Sequence, residues 1–252
     1  VTGTAVRDAA GWLDNRFALP EPRFRLLCLP FAGGSATFYA DWAPLFSSTV
    51  ELVPVQLPGR GALMGLPPAA SIAEMADAIA PVAAASDVPV ALYGHSMGAI
   101  VAFEVARRLQ AAGRAPVHLF VSGRPGPRIV RPERPVSDLP RAEFVAMLRD
   151  YGAADPEILD NDGLLDVLIP MMRADFRAVE TYRRPAGPPL ECPVSAWAGL
   201  DDEEAGPDLM RLWEEETTGA FRLDCLPGGH FFLLDHHERI VTAVHRRLEA
   251  GR

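Results

Sequence analysis

Short apolar runs and longer amphipathic stretches follow one another along this chain. Six runs rich in Val, Leu, Ala, Phe or Trp read as strands: Arg25–Leu29, Glu51–Leu57, Val90–Tyr93, Val117–Ser122, Pro193–Ala198 and Phe221–Leu226. The segments Ser71–Ala85, Met97–Ala112, Pro207–Thr217 and Asp235–Ala250 instead carry helical patterns. Strand followed by helix, repeated, predicts right-handed crossovers and a mostly parallel sheet, hence an α/β domain. The second to fifth runs are almost continuously apolar, as strands covered on both faces must be.

One stretch breaks the alternation. Between Pro125 and Pro189 no run reads as a strand, and the helical patterns are Arg141–Tyr151 and Leu164–Tyr182. Pro170 lies inside the second, where a missing N–H and a steric clash predict a kink. At about 65 residues this insert is far longer than an ordinary crossover connection. The expectation is one domain over 1–252, with a helical lid inserted at 125–189 between two sheet strands.

Composition narrows the function classes. The 252 residues carry 24 basic and 33 acidic side chains, a net charge of −9, and every basic residue is an arginine. So acidic a chain is a poor general partner for nucleic acid. No apolar run approaches the roughly 20 residues of a membrane span, and residues 1–17 lack the apolar centre of a secretory signal. A cytoplasmic protein is expected. Cys28, Cys192 and Cys225 lie far apart, which gives neither a disulfide framework nor metal-ligand spacing, so no metal is expected.

The chemistry is concentrated after three strands. Gly94-His95-Ser96-Met97-Gly98 directly follows the third strand and directly precedes a helix, the context of a G-x-S-x-G nucleophile elbow. A serine on so sharp a turn stands clear at the C-terminal edge of the sheet, where the helix N-terminus favours negative charge. Of six histidines, His230 is the candidate base: it follows the last strand in a glycine-rich loop, Leu226-Pro-Gly-Gly-His. His95, His118, His236, His237 and His245 read as surface or satisfied core side chains. The acid should follow the fifth strand, in Gly199-Leu200-Asp201-Asp202, which gives the chain order serine, acid, histidine of α/β-hydrolases. Pattern barely separates Asp201 from Asp202. For the oxyanion, the N–H of Met97 heads the helix, and Ala32, in the glycine-rich loop after the first strand, is the second candidate donor.

Six blocks then resemble one family: LPFAGGSATFYADW, QLPGRG, YGHSMGAIVAFEVARRL, IPMMRADFRAVETYR, CPVSAWAGLDD and LPGGHFFLLD, in order over about residues 24–248. They are similar to the type II thioesterases, discrete α/β-hydrolases that accompany polyketide synthases and non-ribosomal peptide synthetases. The resemblance implies hydrolysis of acyl thioesters from the phosphopantetheine arm of carrier proteins, in an editing role. It implies Ser96, Asp202 (by the GxxD spacing from Gly199) and His230 as the triad, and Met97 and Ala32 as the oxyanion hole. The helix with Arg173–Phe176 would belong to the lid. No cofactor is implied, since phosphopantetheine enters with the substrate, and the chain is expected to act as a monomer on acyl or peptidyl carrier domains. A carboxylesterase or lipase, a product-releasing thioesterase and a non-catalytic docking protein are the competing readings. Ester against carrier-protein thioester preference separates the first, the lack of a carrier-domain remnant in the sequence counts against the second, and fluorophosphonate labelling of Ser96 would eliminate the last. Because carrier proteins of these pathways are generally acidic, Arg124, Arg128, Arg131 and Arg134 form a candidate docking strip. The plainer alternative is a loop whose arginines pair with nearby carboxylates.

Overall fold

The computed structural model describes residues 11–130, 135–152 and 156–250. All six expected strands form: β1 (Phe24–Leu29), β2 (Val50–Pro54), β3 (Val90–His95), β4 (His118–Ser122), β5 (Val194–Gly199) and β6 (Phe221–Leu226). They make one sheet in the order β2-β1-β3-β4-β5-β6, and every adjacent pair is parallel. The strands from β1 to β5 are almost wholly buried, whereas β6, at the edge, is half-exposed. That exposure accommodates both Arg222 and Asp224 within the β6 run.

Helices cover both faces. On one lie α1 (Ile72–Ala84) and α2 (Met97–Ala111), packing Ile72, Met75, Ile79, Ile100 and Phe103 against the sheet. Ser71 starts α1 by accepting from the Glu74 N–H, while the Glu74 carboxylate returns to the Ala70 N–H, a near-reciprocal cap. The other face holds the last helix and a 3-10 segment, Ala36–Leu45, which the sequence pattern did not announce; its Tyr39 and Trp42 are buried beside Ile240, Val241 and Val244.

The insert between β4 and β5 contains α3 (Arg141–Tyr151), the single turn α4 (Pro156–Leu159) and α5 (Asp162–Thr181). Helix α5 starts two residues earlier than expected because Asn161 caps it through the Leu164 N–H, and it runs on through Pro170 to Thr181. Phe144, Leu148, Leu165, Ile169, Met171 and Met172 give the insert an apolar cluster of its own. The expected helix at Pro207–Thr217 is α6 (Pro207–Arg211) continued as a 3-10 turn, and α7 (Leu233–Ala250) carries a kink at His236.

Strand order places the site. Parallel strands carry all their C-terminal loops at one sheet edge, and connections running outward in both directions from β1 and β3 leave a crevice there. Since β1 pairs with β3, the loop after Leu29 lies beside the turn after His95; since β5 pairs with β6, the loop after Gly199 lies beside the loop after Leu226.

Candidate active site

Ser96 sits between β3 and α2 with φ 52° and ψ −117°, the one non-glycine residue with positive φ among those described. The turn is held by the Ser96 N–H, which donates to the Ser122 carbonyl at 2.9 Å. Its flanking glycines are sterically required. A Cβ on Gly94 would stand 2.1 Å from the Gly98 oxygen, and one on Gly98 would stand 2.2 Å from the Leu29 oxygen. Strand and helix approach too closely there for any side chain.

Across the crevice, Asp202 Oδ2 accepts from His230 Nδ1 at 3.0 Å. The other oxygen, Oδ1, accepts the backbone N–H groups of Glu204 and Ala205 at 2.9 and 3.0 Å, so both carboxylate oxygens have fixed tasks. Burial raises the Asp202 pKa, but the bond to His230, its charge and the two amides outweigh burial and hold it below the ordinary aspartate value. Asp201 is spent differently. Its N–H donates to the Gly228 carbonyl and its carboxylate accepts from the Gly228 N–H, tying the acid loop to the histidine loop. An acceptor-only carboxylate at Nδ1 leaves His230 Nε2 as the acceptor nitrogen, and Nε2 is buried with no hydrogen-bond partner among the described residues.

Ala32, Ser96 and His230 line one cavity of about 150 Å³. Its walls include Phe31, Met147, Tyr151, Phe176 and Phe231, and a wider groove of about 610 Å³ shares Arg124, Val179 and Glu180 with it. Met97, the first residue of α2, is fully buried beside the serine.

Two neighbours of the histidine were not found from the sequence. The Tyr151 ring stands edge-on to His230, 5.1 Å between centroids, and its hydroxyl donates to the Glu204 carboxylate. Burial first, and then Glu204, push the Tyr151 pKa well above the ordinary tyrosine range. Nothing in the helical pattern of α3 marked its last residue as facing His230. His95, adjacent to the serine, is fully buried; Nδ1 lies 2.9 Å from Ser122 Oγ, and burial, followed by the nearby His230, pushes its pKa well down. A second Ser–His contact, His118 Nε2 to Ser195 Oγ at 2.9 Å, has a different setting. Those residues start β4 and β5 at the opposite sheet edge, with His118 stacked on Phe120 and its pKa pushed down to about 4 by burial and then by Arg247. It has the character of a core hydrogen bond.

Two of the four arginines of the expected strip, Arg124 and Arg128, lie among the described residues. Arg124 lines the cavity, with its carbonyl accepting from Trp213 Nε1. Arg128 pairs at 2.9 Å with Glu216, a fully buried carboxylate that Arg184 also meets. Arg131 and Arg134 lie outside the described residues. Among the described residues no cluster of three or more His, Cys, Asp or Glu side chains could hold a metal ion, and no helix is long and apolar enough to cross a membrane.

Residues 24–248 match the family model described as a thioesterase domain. The chain belongs to the thioesterase family. This thioesterase is 33% identical over 250 residues to the gramicidin S biosynthesis protein GrsT of Aneurinibacillus migulanus, covering 97% of this chain and 96% of that one. It is 37% identical to the thioesterase PikA5 of Streptomyces venezuelae over 242 residues, covering 94% of this chain and 85% of the relative. In structure it is similar to the type II thioesterase BorB from the borrelidin biosynthetic cluster, with a TM-score of 0.86, 41% identity and coverage of 96% and 98% of the two chains. The thioesterase is therefore a hydrolase on the fold its strand pattern predicts.

Proposed function

We propose that this thioesterase removes acyl groups from the phosphopantetheine arm of carrier-protein domains, as an editing partner of a polyketide synthase or non-ribosomal peptide synthetase. The observation that carries the reading is the shared cavity. A strained serine and an aspartate-paired histidine face one apolar space, in a chain similar to thioesterases of such biosynthetic clusters.

His230 Nε2 takes the Ser96 hydroxyl proton as Oγ attacks the thioester carbonyl, and Asp202 stabilises the imidazolium that forms. The N–H groups of Met97 and Ala32 receive the oxyanion. As the tetrahedral intermediate collapses, the C–S bond breaks and His230 returns its proton to the departing pantetheine sulfur. Water then gives a proton to His230 and attacks the acyl-enzyme, releasing a carboxylic acid and restoring Ser96. No step calls on a metal or a bound cofactor, and phosphopantetheine arrives with the substrate. The aromatic and methionine walls suit an acyl chain, and the adjoining groove offers the pantetheine arm a path. The reading includes a helical insert that gates this cavity, a monomeric enzyme in the cytoplasm, and carrier docking assisted by arginines of the 124–134 segment.

The test is a hydrolysis panel of one acyl group on carrier protein, on free pantetheine and on a simple ester. Highest kcat/KM on carrier protein is expected. A preference for the simple ester would overturn the substrate class.

A further inference from the structure

Arg60 and Asp175 form a buried, two-pronged ion pair, Nη1 to Oδ2 at 2.6 Å and Nη2 to Oδ1 at 2.7 Å, with side chains 3% and 0% exposed. We propose that this pair is a positioning device for the oxyanion hole: it clamps the turn that carries Ala32. The proposal rests on the reading of Ser96 and Ala32 given above.

The turn is Phe31-Ala32-Gly33-Gly34, closed by the Gly34 N–H donating to the Phe31 carbonyl at 2.8 Å. Gly33 is its third residue with φ +79°, the signature of a type II turn. Types I and II differ by a flip of the central peptide, here the one joining Ala32 to Gly33. Asp175 Oδ2 accepts the N–H of that peptide at 2.8 Å, so it holds the type II form. Arg60 Nη1 donates to the Gly34 carbonyl at 2.9 Å and so fixes the peptide joining Gly34 to Ser35, where the chain leaves the turn. The donor residue Ala32 is thus followed by two peptide planes whose orientations are set by buried charges.

A stability role alone explains this poorly. Buried ion pairs are seldom better for stability than an apolar pair of the same volume. Here, moreover, each partner spends a hydrogen bond on the backbone of one glycine pair. Arg60 comes from the loop after β2 and Asp175 from α5, so the clamp joins the insert to the oxyanion loop. An N–H displaced by a fraction of an ångström no longer meets the developing charge.

The test replaces both partners by apolar residues, Arg60→Met with Asp175→Leu, which leaves no orphan charge and removes the acceptor for Gly33. Expected is a melting temperature close to that of the unchanged protein, kcat lower by about tenfold or more, and KM within about twofold. Affinity for a short alkyl boronic acid, whose Ser96 adduct places an anionic oxygen in the hole, should fall with kcat. Affinity for an uncleavable acyl-pantetheine thioether should hold. A folded double variant with unchanged kcat overturns the proposal. If the double variant does not fold, Asp175→Asn decides by the same kinetic split, and if neither folds the pair is structural and the proposal falls. Fluorophosphonate labelling of Ser96 in the unchanged protein tests the underlying reading separately: no label there means that the serine assignment has failed, whatever the clamp does.

Discussion

At Ser96, the proposed nucleophile, the backbone departs from what a side chain ordinarily tolerates. A non-glycine residue at φ 52° and ψ −117° costs on the order of 1–3 kcal/mol, and the surrounding fold tolerates it. Ser96→Ala is expected to abolish hydrolysis and stay folded, since only a hydroxyl is lost. Ser96→Gly should be equally inactive yet more stable than Ser96→Ala by about 1 kcal/mol, because glycine relieves the strain. Thermal melts of the two variants check this, and turnover in either would refute the nucleophile. The adjacent aspartates form the next comparison. Asp202→Asn should cost about 10⁴-fold in kcat, because an amide neither stabilises the imidazolium nor secures the tautomer. Asp201→Asn leaves the histidine contact intact and should be mild; equal effects would relocate the acid. The same residue predicts a pH dependence. The folded pKa of Asp202 lies below its unfolded value, so its stabilising contribution is present above the ordinary aspartate pKa and is lost as pH falls through the lowered folded one. Asp202→Asn should flatten that acid-side loss in a melting-temperature series. Strand and loop pattern left Asp201 and Asp202 level, and only the GxxD spacing of the resembled family pointed to Asp202, the one that meets His230. Both follow β5, and which one faces His230 depends on the path of a loop tied down through Gly228, a contact that no spacing encodes.

Among the elements, legibility followed periodicity. Strands with continuous apolar runs and helices with clear amphipathic faces were found where expected, and the loops after β1, β3, β5 and β6 carry the candidate chemistry. The 3-10 segment Ala36–Leu45 was missed because it has Pro44 inside and only a weak apolar face; its burial depends on Tyr39 and Trp42 finding α7, a tertiary event. Pro170 interrupts neither the expected helix nor the observed one. Packing of Ile169, Met171 and Met172 into the insert's own cluster keeps α5 helical through the proline. These contacts divide the gating role proposed for the insert. Helix α5 is anchored to the body through Arg60–Asp175 and Gly33, whereas α3 meets the histidine side through the Tyr151 hydroxyl and ring. Hydrogen exchange should therefore be faster over 141–151 than over 162–181, and an acyl-pantetheine thioether should slow the first region more. Tyr151→Phe, which keeps the ring and loses the bond to Glu204, should speed exchange in α3 alone. Uniform protection across both helices, with and without the ligand, would remove the basis for gating.

For the molecule as a whole, the governing quantity is a charge of −9 set against the acidic carrier partner proposed for it. Two acidic bodies repel at long range, so productive encounter needs a local basic area, and exposed charges act only within roughly 8–10 Å at physiological salt. Arg128 is unsuited to test this. Its guanidinium already pairs with buried Glu216, so Arg128→Glu would set two carboxylates together and should lower the melting temperature whatever it does to docking. The discriminating reversal is Arg131→Glu with Arg134→Glu, in a segment where Glu133 is the one intervening acid. Each reversal removes two charges, taking the sum from −9 to −13. If the segment docks the carrier, KM for acyl-carrier protein should rise several-fold at low ionic strength, by about 1 kcal/mol of lost steering, while an acyl-pantetheine mimic is unaffected. The salt response should also change sign. In the unchanged protein added salt screens the local attraction and raises KM, whereas in the reversed protein it screens repulsion and lowers KM. Parallel changes with both substrates, or salt curves of the same slope, would show that these arginines do not receive the carrier.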